Sequence, residues 1–263
     1  MSQSSSGIPR SSPTVSGPAR PLGSYGIDAP WVPWLWTGIG VVFLVIGVLD
    51  VLGSAPSPSW YINLVLAFGG AVIWFAGSAI YFHASLRGKF VVWAELLDGL
   101  ALQGTENVLD LGCGHGAVTI LAAQRVPHGT VAGIDLWRSI DQSGNSAEAT
   151  AANLELNGVA DRVHLDTGDM TALPYPDESF DLVTASVAIH NIPSKEGRAK
   201  AVTEAVRVLR PGGRVLIADI RRVPDYAATL RSLGAAVEQQ RSAGWRIWWT
   251  GPWMATTILQ ATK

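Results

Sequence analysis

The chain has 263 residues, enough for one sizeable domain and an appendage, and a formal net charge of −2 that offers no basic excess to a nucleic-acid backbone. Its single cysteine, Cys113, excludes an internal disulfide framework and any chemistry needing several thiols, and it suits a reducing compartment. Apolar residues make up 48% of the chain, and two dense blocks of them lie near its front.

Met1 to Pro30 is rich in Ser, Pro and Gly, with Arg10 and Arg20 among them, a composition that predicts a disordered tail and not a signal peptide. Trp34 to Leu52 and Trp60 to Phe82 are then nearly all apolar, each with the roughly 20 residues that cross a bilayer core as a helix. The short connector Gly53 to Ser59 makes residues 31–86 an antiparallel transmembrane hairpin, with the lipid bilayer as its partner. Trp31, Trp34 and Trp36 cluster at one end, Trp60 and Tyr61 at the turn, and Tyr81 and Phe82 at the exit, where aromatic belts belong. Gly38, Gly40, Gly47, Gly69, Gly70 and Gly77 would let the two helices approach closely. Arg10 and Arg20 precede the pair, Arg87 and Lys89 follow it, and the connector carries none, which puts both ends on the cytoplasmic side of the cell membrane. Two buried core helices of a soluble protein are the alternative.

Residues 87–263 read as a soluble α/β domain. Arg87 to Leu102 has apolar residues at helical spacing and reads as a linker helix. Asn107 to Leu111 is a short buried strand, followed by Gly112, Gly114 and Gly116, which permit a sharp turn and close ligand approach, and by a helix from Ala117 to Val126. Strand, glycine loop and helix together make a nucleotide-type site at the carboxyl end of a parallel sheet. The spacing is G-x-G-x-G, not the G-x-G-x-x-G of a dinucleotide site, and Asp110 would repel a pyrophosphate but pair with an ammonium group. A nucleoside carrying a charged amino acid fits that pattern. Thr130 to Asp135 is the second strand, and Asp135 at its end can accept from both ribose hydroxyls. Leu136 follows, placed to cover a base. Asp141 to Ser146 carries more polar groups than capping the helix from Ala147 to Asn157 requires, so it caps that helix or also touches a ligand. Further strands are expected at Arg162–Asp166 and Ser179–Ser186. Lys195 to Leu209 then reads as an amphipathic helix, and Arg210 to Asp219 as a turn and strand. A helix from Pro224 to Leu233 and two closing strands, Ala235–Arg241 and Met254–Ala261, complete the chain.

Val108-Leu-Asp-Leu-Gly-Cys-Gly-His-Gly116 resembles motif I of the class I methyltransferases, and Glu204-Ala-Val-Arg-Val-Leu-Arg-Pro-Gly-Gly213 resembles the helix, turn and strand that follow their fourth strand. The resemblance covers about Val91 to Lys263. It implies a doubly wound, mostly parallel seven-stranded sheet with an antiparallel last strand, here preceded by the hairpin. It implies S-adenosyl-L-methionine as cofactor, with Asp110, Gly112, Gly114 and Gly116 holding the amino-acid part and Asp135 the ribose. Leu136, Asp169 and Met170 would hold the adenine. Strand four ends at Ser186, which would also contact the cofactor where this fold faces the transferable methyl group, so His190 and Asn191 are the candidates for contact with a small-molecule acceptor. His190 reads equally as a base near neutral pH or as a loop-holding side chain. The resemblance leaves two alternatives open, a membrane scaffold that keeps the fold without turnover and a nicotinamide oxidoreductase. No Cys/His cluster suggests a metal. One departure stands out: Trp245, Trp248, Trp249 and Trp253 lie within nine residues, as packing or as an apolar wall for a substrate arriving from a bilayer.

Overall fold

The computed structural model describes residues 20–53 and 55–263. Two long helices come first, α1 (Trp31–Gly53) and α2 (Pro58–His83). Both are long and apolar enough to cross a membrane, and only 11% of the most apolar stretch of α1 is buried by the rest of the protein. Val41, Leu49, Val65, Leu66 and Val72 on their outer faces are exposed. The inner faces interlock by a seven-residue repeat. Gly40 and Gly47 of α1 receive the rings of Phe75 and Phe68, while Gly70 and Gly77 of α2 receive those of Phe43 and Trp36. A Cβ on any of the four would run into its ring. Ser78 adds a polar latch, donating to the carbonyl of Pro33 at 3.0 Å and lying 2.8 Å from the Thr37 hydroxyl. Gly38 and Gly69, expected to serve the same packing, face open space.

Helix α2 does not hand over to a separate linker helix. It runs through one wide π-turn, Ala84–Gly88, straight into α3 (Lys89–Gly99), so Pro58 to Gly99 is a single rod. Glycine is required at position 88 because the backbone carbonyl of Arg246 occupies the place of a side chain.

Beyond the rod lies a seven-stranded sheet of order β3-β2-β1-β4-β5-β7-β6. Its strands are β1 (Asn107–Leu111), β2 (Thr130–Asp135), β3 (Val163–Thr167), β4 (Phe180–Ser186), β5 (Leu209–Asp219), β6 (Ala236–Ser242) and β7 (Thr257–Thr262). The first five pair in parallel, and β7 is antiparallel to both of its neighbours. The fold is therefore the expected doubly wound α/β sheet, and its antiparallel strand is the last in the chain but not at the edge. The helices of this domain are α4 (Ala117–Ala123), α5 (Ala147–Leu156), α6 (Lys195–Val208) and α7 (Val223–Ser232).

Strand alternation divides the core. Leu109, Leu111, Val183 and Ile217 face α6 and α7, whereas Val108, Leu182 and Leu216 face α3 and α4. The order of crossovers reverses between β1 and β4, so a crevice opens there at the carboxyl ends of the strands.

The expectation of a disordered tail up to Pro30 fails for its last part; residues 1–19 lie outside the described residues. From Arg20 the chain crosses the domain as a strap. Leu22 donates to Asn157, Ser24 to Asn153 and Ile27 to Ser143, while Tyr25 is buried against Phe90. Composition missed this because the strap is held by backbone hydrogen bonds to asparagines distant in sequence, with one aromatic anchor.

The interlocked glycines give a test of the hairpin. Gly77→Leu or Gly70→Leu should destabilise the folded protein in detergent by about 1–3 kcal/mol through overpacking. Gly69→Leu, pointing into open space, should leave its thermal unfolding unchanged.

Candidate functional site

The crevice at the reversal point is a cavity of about 720 Å³ whose walls include Asp110, Gly112, Gly114, Asp135, Leu136, Asp169, Met170, Ser186, His190 and Asn191. Of the residues given a cofactor or acceptor role in the sequence, Gly116 alone is not on the wall. It takes a left-handed conformation (φ 81°) and ends the loop ahead of α4, where a Cβ would press on Thr150. Gly112 (φ 68°) and Gly114 (φ 50°) are also left-handed, which favours glycine at both. A Cβ at Gly112 would strike Ala188, and one at Gly114 would strike the Gln142 side chain.

Asp110 leaves the sheet on the α4 face and is 1% exposed. Its two oxygens accept from Thr119 (2.7 Å) and Thr184 (2.8 Å). Burial pushes its pKa up to about 6, against the opposing pull of the two threonine hydroxyls. Asp135, at the end of β2, accepts from the N–H of Gly114 (2.9 Å), the N–H of Trp137 (2.6 Å) and the amide of Asn145 (3.2 Å). One carboxylate thus pins the glycine loop from the side while the other sits beneath it. Asp169 is exposed at the cavity edge, accepting from the N–H of Thr171, and half-buried Met170 packs onto the core beside the place of a Gly112 side chain. Ser186 accepts from the indole N–H of Trp93 in α3 at 2.8 Å. Cys113 is buried against β2, and burial raises its thiol pKa well above the ordinary value, so it is inert packing.

His190 lies in a 3-10 turn after β4, with Nδ1 2.6 Å from Oδ1 of Asp219 and its backbone N–H donating to Oδ2 at 3.1 Å. Asp219, at the end of β5, is completely buried. It also accepts from the N–H of Ile220 at 2.7 Å and from the Tyr226 hydroxyl at 3.4 Å. Burial, and then the Asp219 charge, raise the Tyr226 pKa, which keeps that hydroxyl a donor. The turn is held from below by buried Arg198, which donates to the carbonyls of Ile192 and Pro193. The sequence reading missed Asp219. It had the same signal as Asp110 and Asp135, an acid at the carboxyl end of a central strand.

The connector 136–146, left open in the sequence between capping and ligand contact for residues 141–146, is placed to do both: it supplies Arg138, Ile140, Asp141, Gln142 and Asn145 to the wall, besides Ser146 as the cap of α5. Its Gln142 accepts from the N–H of His115 and donates to Asp28 of the strap. One further group was missed. Asp28 in turn pairs with buried Lys89 at 2.7 Å and accepts from Ser85 at 2.6 Å. Lys89 had served in the sequence only as a marker of membrane orientation. The signal it lacked was a partner, because Asp28 lies 61 residues earlier.

Residues 109–217 match the family model described as "Methyltransferase domain". Over 137 residues the chain is 33% identical to the ubiquinone/menaquinone biosynthesis C-methyltransferase UbiE of Roseobacter denitrificans, covering 52% of this chain and 51% of that protein. Over 147 residues it is 35% identical to the 27-O-demethylrifamycin SV methyltransferase of Amycolatopsis mediterranei, covering 55% and 48%. The chain thus spans about half the length of the curated relatives it matches. Among solved structures the [4+2]-cyclase SpnF superposes with a TM-score of 0.53 at 21% identity, over 64% of this chain and 80% of that one, a likeness of fold alone.

Asp110 provides a pH signature. Its folded pKa lies above that of the unfolded chain, so the folded protein holds the extra proton between about pH 4 and 6, and stability falls as pH rises through that window. Relative to Asp110→Asn, the natural protein should gain roughly 2–3 kcal/mol on going from neutral pH to below 4, read by denaturant unfolding.

Proposed function

We propose that this chain, whose soluble half belongs to the class I S-adenosylmethionine-dependent methyltransferases, is a membrane-anchored enzyme that methylates a small hydrophobic or lipid-like acceptor. The observation that carries the catalytic reading is the histidine held by a buried carboxylate on the wall of a glycine-loop cavity.

The residues present suit the cofactor. The left-handed glycines let the loop turn tightly over the end of β1 at the cavity wall, and three carboxylates meet the cavity from neighbouring strands. Asp110 supplies negative charge beneath the loop for the ammonium of the amino-acid part; its oxygens are already hydrogen-bonded, so its pull is mainly coulombic. Asp135 retains acceptor capacity for ribose hydroxyls, and Asp169 with Leu136 and Met170 bounds the adenine end. When bound, S-adenosylmethionine supplies an electrophilic methyl group on a sulfonium. The chain orients the acceptor and manages its proton. Asp219 holds the turn through the His190 backbone N–H and, with Oδ1 2.6 Å from Nδ1, lies close enough to stabilise an imidazolium, so Nε2 is the nitrogen left to take an acceptor proton. A histidine set on the cavity wall within 2.6 Å of a buried carboxylate favours the enzyme over a catalytically silent scaffold.

The relatives' names point to small-molecule acceptors, in ubiquinone/menaquinone biosynthesis and in 27-O-demethylrifamycin SV methylation. The hairpin adds the lipid-like character. Its outward apolar faces fit a bilayer, and the domain and strap both lie at the helix ends opposite the connector. We place the hairpin across the cell membrane with that end cytoplasmic. Tethering would raise the encounter rate with an acceptor in the same membrane.

Calorimetry tests the cofactor reading. Asp135→Ala should weaken S-adenosylmethionine binding about 10–100-fold, the loss of one or two charge-assisted hydrogen bonds. Detergent-solubilised protein that binds none would end the assignment. His190→Gln and Asp219→Asn should keep cofactor affinity but lower turnover on labelled host lipid extract about 10²–10⁴-fold.

A further inference from the structure

The tryptophan segment is a loop folded against the hairpin. Trp245 stacks on His83 (ring centroids 5.2 Å, 19° between planes), Trp249 meets Tyr81 edge-on at 5.2 Å, and the Thr250 carbonyl would lie 3.3 Å from a Cβ on Gly77. From His83 to Gly77 the loop therefore climbs six residues of α2, a rise of about 9 Å. It is held in shape by its own hydrogen bonds, from the Trp249 N–H to the Met254 carbonyl and from the Trp253 indole to Thr250. Its two faces differ sharply. Trp245 and Trp253 are 61% and 69% exposed, whereas Trp249 is 2% exposed and, with Met254, lines the cavity.

Inside, Trp249 and Met254 meet Val32 of α1, Tyr81 of α2, Val187 after β4 and Ile220 after β5. All six lie on the wall of the cavity that holds His190, and Val187 and Ile220 adjoin the strand ends carrying Ser186 and Asp219. An apolar chamber beside a histidine–carboxylate pair, roofed by the first turns of α1 and the last turns of α2, is built for a ligand with one ionisable polar group and an apolar body. The height of the loop on α2 sets its outer tryptophans at the depth where amphipathic side chains enter the headgroup boundary.

We propose that this chamber is the acceptor site and that the loop Trp245–Met254 is its mouth in the cytoplasmic leaflet. The acceptor is a bilayer-resident amphiphile that enters sideways, head first, its hydroxyl or similar group reaching His190 while its hydrocarbon tail remains among the lipids. This rests on the methyltransferase reading and adds the site, the route and the amphiphilic class of acceptor.

The test uses the full chain in vesicles of phosphatidylcholine with a minor fraction of phosphatidylglycerol. Trp253→Cys can be labelled with an environment-sensitive fluorophore, since the single native thiol is buried. Quenching by lipid-borne nitroxides near the headgroups is expected; quenching by aqueous iodide alone would overturn the placement of the loop. A diazirine-bearing long-chain alkylphenol should crosslink to chamber residues. Met254→Trp, which fills the chamber, should cut that labelling about tenfold or more. Labelling that is unchanged in Met254→Trp, or that maps elsewhere, overturns the proposal. Calorimetry on the same samples separates the two readings. Intact S-adenosylmethionine binding with failed labelling removes only the chamber, whereas absent cofactor binding removes the methyltransferase reading itself.

Discussion

A buried ammonium makes this chain one unit. Lys89, at the start of α3, is 7% exposed, and a charge so far from water needs a partner and hydrogen bonds. Asp28 supplies the partner. The same carboxylate accepts from Ser85 in the π-turn and from Gln142, whose other atom receives the N–H of His115 in the glycine loop. Strap, rod, connector and glycine loop thus converge on one aspartate, and none of the four can move without exposing or orphaning a charge. That constraint explains why a strap poor in apolar residues is ordered, and why the connector 136–146 holds a fixed course along the cavity wall.

The hairpin and the domain solve different packing problems. In the domain, alternation along each strand sorts apolar side chains onto two helix-covered faces, and the buried acids lie toward the carboxyl ends of the strands. Water expulsion drives that arrangement. Between two helices in the proposed bilayer this force would be weak, and close fit would have to replace it. The reciprocal seating of rings in glycine notches, Trp36 and Phe43 on one helix and Phe68 and Phe75 on the other, provides that fit. Each notch lies seven residues from the next on its own helix, so the pairs fall on a single seam.

Much of the fold was legible in the residues, because its signals are local. Buried strands, the glycine turn with Asp110 ahead of it, and the acid ending β2 are all short-range patterns whose physics fits in a window of ten residues. The hairpin was legible by length, but the choice among its glycines was not. Gly69 and Gly70 are neighbours in sequence, and only the helix rotation, set by the partner helix, decides which one receives a ring. The site was legible where a residue acts alone and hidden where it acts through another. His190 could be singled out, while its carboxylate lies 29 residues further on and became visible only when β4 and β5 paired in parallel. In the sequence Asp110 reads as a partner for an ammonium group. The structure shows a more occupied group, sharing its oxygens with Thr119 and Thr184, because the alternation that buries Val108 turns Asp110 toward the same helix.

The uninterrupted passage of α2 through the π-turn into α3 has a mechanical consequence. With no hinge between α2 and the helix under the sheet, a hairpin set across a bilayer as proposed would act as a gauge, fixing both the height and the compass bearing of the crevice above the lipid plane. Each residue of a helix advances it by about 1.5 Å and turns it by about 100°. Shortening the turn by a single residue would hardly alter the height, yet would swing the crevice mouth well away from the side on which α1 descends. The wide turn is in this sense an angular setting, and the contacts of Gly88 with Arg246 and of Lys89 with Asp28 are what hold the dial in place.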